Sequence, residues 1–195
     1  IEGRTLQESI EQGGPLPEEL AAKYALQLCN SLQALHGLDP AIIHSDVSPY
    51  NVILGKDEQI ILVDFGVPSI TAEGALILQS NANLHFSAPE LFRGTPCCQS
   101  DIYSLGATIY FALTGKLPVP IQCNELPETL FSPALIRIVK LATAQSVDDR
   151  YPSIAALRKD LETLIGENIE PVSDAPNIID HELEDATITI AEHRQ

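Results

Sequence analysis

Apolar and polar positions follow two different periods along the chain, and each period predicts one kind of element. Between Pro17 and Gly37 the apolar side chains recur every three or four residues, which predicts a long amphipathic helix. The stretch from Val67 to Phe86 follows neither period and is expected to be an irregular loop. The helical period also predicts helices at about 5–12, 99–113, 134–142 and 152–165.

A β-hairpin is predicted by two short apolar runs, V-I-L and I-I-L-V, on either side of the polar segment G-K-D-E. In an antiparallel pair with this turn, Leu54 faces Ile60, so Asn51 and Asp64 lie side by side at the open end. Asp46 lies one loop upstream. An amide oxygen near two carboxylates is a ligand set that suits a hard cation such as Mg²⁺.

Composition narrows the possible partners. The chain has 195 residues, 45% of them hydrophobic, which is enough to bury a sizeable core. A net charge of −16 argues against a surface that binds nucleic acid or anionic lipid. The longest apolar stretch, Leu105 to Leu113, is far shorter than the roughly 20 residues of a membrane span. Four cysteines without paired C-x-x-C spacing indicate reduced thiols, and a cytoplasmic location is expected.

The last thirty residues differ from the rest in charge. From Glu167 onward there are eight acidic residues and one basic residue, together with Pro171 and Pro176. This composition predicts a disordered tail over residues 166–195. A solvated tail that aids solubility is the preferred interpretation, and a dedicated binding arm is the alternative.

Five motifs resemble those of eukaryotic-like serine/threonine protein kinases and occur in the same order. They are H-S-D-V-S-P-Y-N at 44–51, V-D-F-G at 63–66, S-A-P-E at 87–90, the D-I-Y-S-L-G segment at 101–118, and Arg150. The resemblance implies an α+β fold, mostly α-helical. It would be the large C-terminal lobe of a kinase, with a small catalytic β-hairpin, over residues 1–165.

Such a kinase also needs an N-terminal lobe with a glycine-rich loop and a lysine paired to a helix glutamate. Neither is found in the sequence, so the chain is expected to begin at the hinge, with the missing lobe supplied by the parent chain. The opening I-E-G-R also resembles a protease site added in cloning. The native interpretation is preferred because L-Q-E-S-I continues it as the expected helix.

The resemblance assigns roles to residues of the site. Asp46 would accept the proton of the substrate hydroxyl, while Asn51 and Asp64 would hold Mg²⁺. For ATP, the expected contacts are the hinge backbone of Ile1, a ribose contact at Thr5 and an apolar floor under the base at Ile53. His44 and Phe65 are expected to pack in an internal stack of side chains.

Three further residues would stabilise the lobe. Glu90 is expected to form a buried ion pair with Arg150, whose loss would cost roughly 3–5 kcal/mol. Asp101 has two interpretations: it caps the helix that begins there, or, as the resemblance implies, it holds the backbone of the catalytic loop.

Three positions depart from the family pattern. Ser45 replaces the arginine of H-R-D, so this loop offers no cation to a phosphorylated segment. Ser48 occupies the catalytic-loop position of the lysine that neutralises the transferred phosphoryl, and Asn83 stands where a threonine is usual. Loss of one such cation can cost roughly 10²–10³ in rate.

Three functions are compatible with these residues. The leading one is an ATP-dependent kinase of protein serine or threonine, inactive without its N-terminal lobe. The alternative is a pseudokinase that acts as a binding or scaffolding module. A small-molecule kinase fits less well, because A-P-E and D-I-Y-S-L-G are typical of protein kinases.

Overall fold

The computed structural model of the chain describes residues 3–64, 69–70, 76–77, 83–119 and 126–166. Side chains are described throughout except in 69–70, 76–77 and at 83. The predictions on Ile1, on Phe65 and on the acidic tail lie outside these residues.

The described part is mostly helical, with one small sheet beside the helices. Its helices are α1 (Leu6–Gly13), α2 (Glu18–His36), α3 (Cys98–Thr114), α4 (Pro133–Ala142) and α5 (Ile154–Ile165). Its strands are β1 (Arg4–Thr5), β2 (Val52–Leu54), β3 (Ile60–Leu62), β4 (Ser69–Ile70) and β5 (Leu76–Ile77). Short 3₁₀ turns occupy Asn83–Phe86, Leu91–Arg93 and Val147–Asp149. The α+β class predicted from the sequence is confirmed.

Helix α3 forms the centre of the core. Every residue from Ser100 to Leu113 is buried, including five that carry a hydroxyl group, because α2, α4 and α5 surround the helix. Gly106 permits the closest of these contacts. A Cβ there would lie 2.7 Å from the Ala142 Cβ and 2.9 Å from the Thr143 Cγ2. The absence of a side chain at Gly106 therefore lets α4 approach α3.

The predicted hairpin is confirmed in place and in register. Strands β2 and β3 pair antiparallel, with Leu54 opposite Ile60 and Ile53 opposite Ile61. Gln27 of α2 holds the turn, since its Nε2 donates to the Glu58 carbonyl at 2.9 Å and its Oε1 accepts from the Ile60 N–H at 3.1 Å. The hairpin is therefore fixed to the helix beneath it by polar as well as apolar contacts.

Strand β1 adds a third strand that the sequence pattern does not predict. Thr5 pairs with Ile53 across an antiparallel ladder of only two residues. The loop predicted from Val67 to Phe86 is also partly wrong, because Ser69–Ile70 and Leu76–Ile77 pair as strands. Pairs of two residues are too short to produce a period of two that can be recognised in a sequence.

Candidate active site

The loop from His44 to Asn51, called the 44–51 loop below, joins the helical core to β2. Its main chain is held by Asp101, whose side chain is fully buried. Asp101 Oδ2 accepts from the His44 N–H at 2.9 Å, and Oδ1 accepts from the Ser45 N–H at 2.8 Å. The interpretation that Asp101 holds this loop is confirmed.

The other interpretation, that Asp101 caps α3, is wrong. The helix begins at Cys98, and its first turn is closed by a reciprocal capping box between Cys97 and Ser100. Asp101 lies inside this turn, with both carboxylate oxygens bonded to the 44–51 loop. Its oxygens are therefore unavailable to the end of the helix.

His36 is a partner of Asp101 that the sequence analysis missed. Its Nε2 lies 2.8 Å from Asp101 Oδ2, and its side chain is 8% exposed. His36 is the last residue of α2, where a histidine is ordinarily explained by the helix dipole. A buried carboxylate with three hydrogen-bond partners fixes the start of the loop to two helices.

His44 packs inside the fold, as predicted. Burial lowers the pKa of its imidazole, against the opposing effects of the Asp101 charge and a hydrogen bond with the Val63 backbone. The ring is therefore mainly neutral at pH 7. Its Nδ1 accepts from the Asp46 N–H at 3.3 Å, so the ring also supports the residue two positions further on.

Asp46 and Asn51 are brought together across the loop. The Asn51 Nδ2 donates to the Asp46 carboxylate and to the Asp46 carbonyl, both at 2.9 Å. The same nitrogen lies 3.4 Å from the carbonyl of Asp64, and the Val63 N–H donates to the Asn51 carbonyl at 2.9 Å. The Asn51 amide nitrogen thus faces Asp46, and the Asn51 Oδ1 is directed away from this contact and could serve as a ligand.

Asp64 meets Asn51 through its main chain, and its carboxylate is exposed. Its φ is 54°, and Ser45 at the other end of the site has φ 63°. Side chains other than glycine rarely adopt this left-handed backbone, and such residues cluster at functional sites. No sequence period indicates either angle. The backbone therefore turns sharply on both sides of the Asp46–Asn51 contact.

Ser48 lies inside the fold. Its side chain is fully buried, and its Oγ has no hydrogen-bond partner within the described residues. The predicted position in the loop is thus occupied by a short side chain that points away from solvent. A hydroxyl in this place carries no positive charge and does not reach the loop surface.

Thr5 and Ile53 are adjacent across the β1–β2 ladder. The Thr5 Oγ1 accepts from the Glu8 N–H at 3.1 Å, and the Glu8 carboxylate accepts from the Thr5 N–H at 2.9 Å, so Thr5 caps α1. Ile53 is half-buried, on the opposite face from the fully buried Val52. One face of this sheet is therefore part of the core, while the other is partly open.

Glu90 and Arg150 form the predicted buried pair, with two parallel contacts of 2.6 and 2.9 Å. The sequence analysis missed Ser100, whose Oγ donates to Glu90 Oε1 at 2.7 Å. Burial alone would raise the pKa of Glu90, but the hydrogen bonds from Arg150 and Ser100 together hold it below its ordinary value. The Arg150 guanidinium also lies 4.9 Å from the centre of the Tyr103 ring.

Comparison with known proteins agrees with this geometry. Residues 1–174 match the family described as protein kinase domain. The chain belongs to the protein kinase domain family. Serine/threonine-protein kinase PknB of Mycobacterium leprae (strain TN) is 28% identical over 180 residues. That of Mycolicibacterium smegmatis is 30% identical over 199 residues. These alignments cover 83% and 92% of this kinase domain, but only 29% and 31% of the two relatives.

A solved structure supports the fold of this kinase domain. The crystal structure of Rad53 1–466 in complex with AMP-PNP superposes with a TM-score of 0.68. The superposition covers 85% of this chain and 45% of Rad53, at 19% identity, so the likeness concerns the fold alone. In the described part of the kinase domain, no helix is long and apolar enough to cross a membrane.

Asn51 and Asp64 are the candidate ligands for Mg²⁺ in the kinase domain. Within the described residues no three His, Cys, Asp or Glu side chains form a metal cage. Mg²⁺ ordinarily takes one or two carboxylates and completes its shell with water and substrate phosphates. The exposed Asp64 carboxylate and the Asn51 Oδ1 fit that arrangement.

Proposed function

We propose that this kinase domain is the large lobe of an ATP- and Mg²⁺-dependent kinase that phosphorylates serine or threonine of protein substrates. The observation that carries the proposal is the contact of Asn51 with the Asp46 carboxylate at 2.9 Å, in a loop whose main chain is bonded to Asp101. A carboxylate held in this way has a defined orientation, which is what a proton acceptor needs.

Asp46 acts on the substrate hydroxyl. Its carboxylate accepts the hydroxyl proton while the hydroxyl oxygen bonds to the γ-phosphorus of ATP and ADP leaves with the electrons of the broken bond. The Asn51 N–H donates to the same carboxylate and so orients Asp46. Asn51 and Asp64 would hold Mg²⁺, which neutralises charge on the phosphates.

ATP would lie against the partly open face of the small sheet. Ile53 offers an apolar surface to the base, and Thr5 lies beside it in the next strand. The Thr5 hydroxyl accepts from Glu8 N–H as a helix cap and still has its own hydrogen to donate to a ribose oxygen. Ile1 would contribute hinge backbone.

The phosphates need two parts that the sequence of residues 1–195 does not contain, a glycine-rich loop and a paired lysine. We infer that both come from a further lobe of the same polypeptide. Residues 1–195 alone are then expected to transfer no phosphate, because positioning and charge stabilisation provide most of this catalysis.

A pseudokinase is the second candidate, and Ser48 favours it. The catalytic-loop lysine is replaced by a fully buried hydroxyl, so no cation at this position can stabilise the transferred phosphoryl group. In that case the lobe would bind nucleotide or a protein without turnover.

Radiolabelled phosphate transfer decides between the two candidates. The protein that carries this domain with its N-terminal lobe would be assayed at saturating Mg²⁺-ATP with a generic protein substrate. Asp46→Asn should abolish transfer, whereas Asp57→Asn, at the exposed tip of the hairpin, should leave it unchanged. An inert wild type that still binds nucleotide would establish the pseudokinase instead.

Nucleotide binding tests the metal ligands separately. Asp64→Asn should weaken Mg²⁺-ATP binding by at least tenfold in calorimetry, because it removes the exposed carboxylate that we assign to the metal. Unchanged affinity, with an unchanged unfolding temperature, would refute the assignment of Asp64 while leaving the role of Asp46 open to the transfer assay.

A further inference from the structure

Two adjacent cysteines, both partly exposed, stand at the beginning of α3. Cys97 is the N-cap residue and Cys98 is the first residue of the helix. The Cys97 N–H donates to Ser100 Oγ at 3.1 Å, and the Cys97 Sγ lies 3.5 Å from the same oxygen. The first turn of α3 therefore contains two neighbouring thiols, one of which contacts Ser100 directly.

This turn is bonded to the buried ion pair. Ser100 Oγ donates its single hydrogen to Glu90 Oε1 at 2.7 Å, so in the contact with Cys97 the thiol S–H is the donor. The Arg150 Nη1 donates to the carbonyl of Gln99 at 3.0 Å. A change in the backbone or side chains at the start of α3 is thus transmitted to both members of the Glu90–Arg150 pair.

Capping does not require these thiols. Serine, threonine, aspartate and asparagine are the preferred N-cap residues, and cysteine sulfur is a weak hydrogen-bond acceptor. Cys98 in turn lies in the helix, where its sulfur has no role in the capping box. Two adjacent thiols, however, provide one reaction that a serine cap cannot, the formation of a disulfide.

A disulfide between them is incompatible with the observed turn. The Cα atoms of neighbouring residues lie about 3.8 Å apart across a trans peptide, and disulfides usually join Cα atoms about 4.4–6.8 Å apart. Cys97 has the extended backbone of an N-cap, with φ −147° and ψ 168°. Closing the ring therefore requires the start of α3 to rearrange. Strained disulfides of this kind are easily reduced and serve regulation rather than stability.

We propose that Cys97 and Cys98 form a reversible thiol switch, in which a low-molecular-weight disulfide oxidises the pair and the new bond opens the first turn of α3. The Cys97 thiolate attacks the small disulfide and releases one thiolate, which takes up the Cys97 proton. The Cys98 thiolate then attacks the Cys97 sulfur and releases the second thiolate, which takes up the Cys98 proton. One dithiol and one disulfide thus become one disulfide and two thiols.

The order of the two attacks follows from the surroundings of Cys98. Burial and the nearby Asp101 raise the pKa of the Cys98 thiol, so Cys98 forms its thiolate less readily than a free cysteine does. Cys97 is therefore assigned the first attack. After closure the Cys97 sulfur has no hydrogen left to donate to Ser100, and Ser100 moves relative to Glu90.

Mass spectrometry and hydrogen exchange test the switch on the purified protein in glutathione buffers of graded ratio. The peptide that contains both cysteines should lose two hydrogen atoms, and the amides of Cys97 and Ser100, which are bonded within the turn, should lose protection from exchange together with it. Dithiothreitol should reverse both changes. Cys97→Ser, which keeps a good cap, and Cys98→Ser should each prevent them, whereas Cys29→Ser, in the buried centre of α2, should not.

Three outcomes would overturn the proposal. The first is a peptide that keeps its hydrogens under buffers that oxidise a reference dithiol. The second is a stable mixed disulfide with glutathione, or a bond to Cys123 that Cys123→Ser removes. The third is a Cys97–Cys98 disulfide that forms without any change in the exchange of the Cys97 and Ser100 amides.

Discussion

Two hydrogen-bond networks meet at the first turn of α3, and they differ in how completely their polar groups are satisfied. In one, Arg150 uses all five of its N–H groups, on Glu90 and on three backbone carbonyls. In the other, the 44–51 loop has a buried Ser48 Oγ without a partner in the described part of the chain and ends near the exposed Asp64 carboxylate. We call the first network closed because every N–H of its arginine has a partner. We call the second open because the Asp64 carboxylate remains exposed.

The difference follows from what each network must do. A buried ion pair is stable only if every charge and donor has a partner, so the Glu90–Arg150 network excludes any ligand. The catalytic role that we propose for the 44–51 loop needs carboxylates that can receive a proton or bind a metal. Adjacent residues of α3 serve the two purposes, since Ser100 donates to Glu90 and Asp101 accepts from the loop. The closed network thereby fixes the helix that positions the open one.

The largest effect is expected when the closed network is broken. Arg150→Ala should lower the unfolding free energy by about 3–5 kcal/mol in urea titrations, because it leaves Glu90 charged and buried. Arg137→Ala is the matched control. Its partner Asp160 lies 2.9 Å away, but the Arg137 side chain is 60% exposed, so the loss should stay within about 1 kcal/mol. Equal effects from both variants would contradict the comparison.

A smaller loss is expected at the junction of the networks. Asp101→Asn should lower the unfolding free energy by about 1.5–3 kcal/mol. The Asp101 carboxylate contacts His36 and accepts from two backbone N–H groups, whereas the new amide nitrogen would bring two hydrogens of its own toward them. Asp57→Asn, at an exposed turn, should change stability by less than about 0.5 kcal/mol. A cost at Asp101 no greater than at Asp57 would mean that the loop does not depend on this carboxylate.

The closed network should also respond to acid. The pKa of Glu90 is held below its ordinary value of 4.5, so the pair stabilises the fold fully above that value and loses its effect as pH falls through the folded pKa. In thermal unfolding from about pH 6 to about pH 3, Glu90→Gln should have a lower melting temperature than the wild type at the upper end. The two curves should converge in acid. If the melting temperatures of the two proteins stayed equally far apart across this pH range, protonation of Glu90 would not be what weakens the pair.

The sequence predicts those parts of the molecule that extend over several residues. Helix α2 repeats its apolar pattern across 19 residues, and the register of the hairpin follows from its two runs. Strand β1 has two residues and therefore no period. The ion pair could be predicted because both charges occur within motifs, but its third member, Ser100, resembles any small residue of a buried helix.

The site is harder to predict, because a motif fixes where its residues lie in the sequence but not which way their side chains point. It places Asn51 near Asp64, but the contact runs to the Asp64 carbonyl and leaves the carboxylate exposed. It leaves two roles open for Asp101, and the choice depends on where α3 begins. His36 is 65 residues from Asp101 in sequence, so only the packing of α2 against α3 brings them together.

The smallest effect is expected at Ser48, and it tests the open network most sharply. Removal of a buried hydroxyl without a partner costs no hydrogen bond, so Ser48→Ala should change the unfolding free energy by less than about 1 kcal/mol, in either direction. Ser100→Ala removes the same group at an equally buried position. It should cost about 1–3 kcal/mol, because Glu90 loses a donor. Phosphate transfer by the Ser48→Ala protein should equal that of the wild type, since the hydroxyl does not reach the loop surface. If Ser48→Ala were as costly as Ser100→Ala, the Ser48 hydroxyl would have a partner, and the 44–51 loop would be as closed as the ion pair.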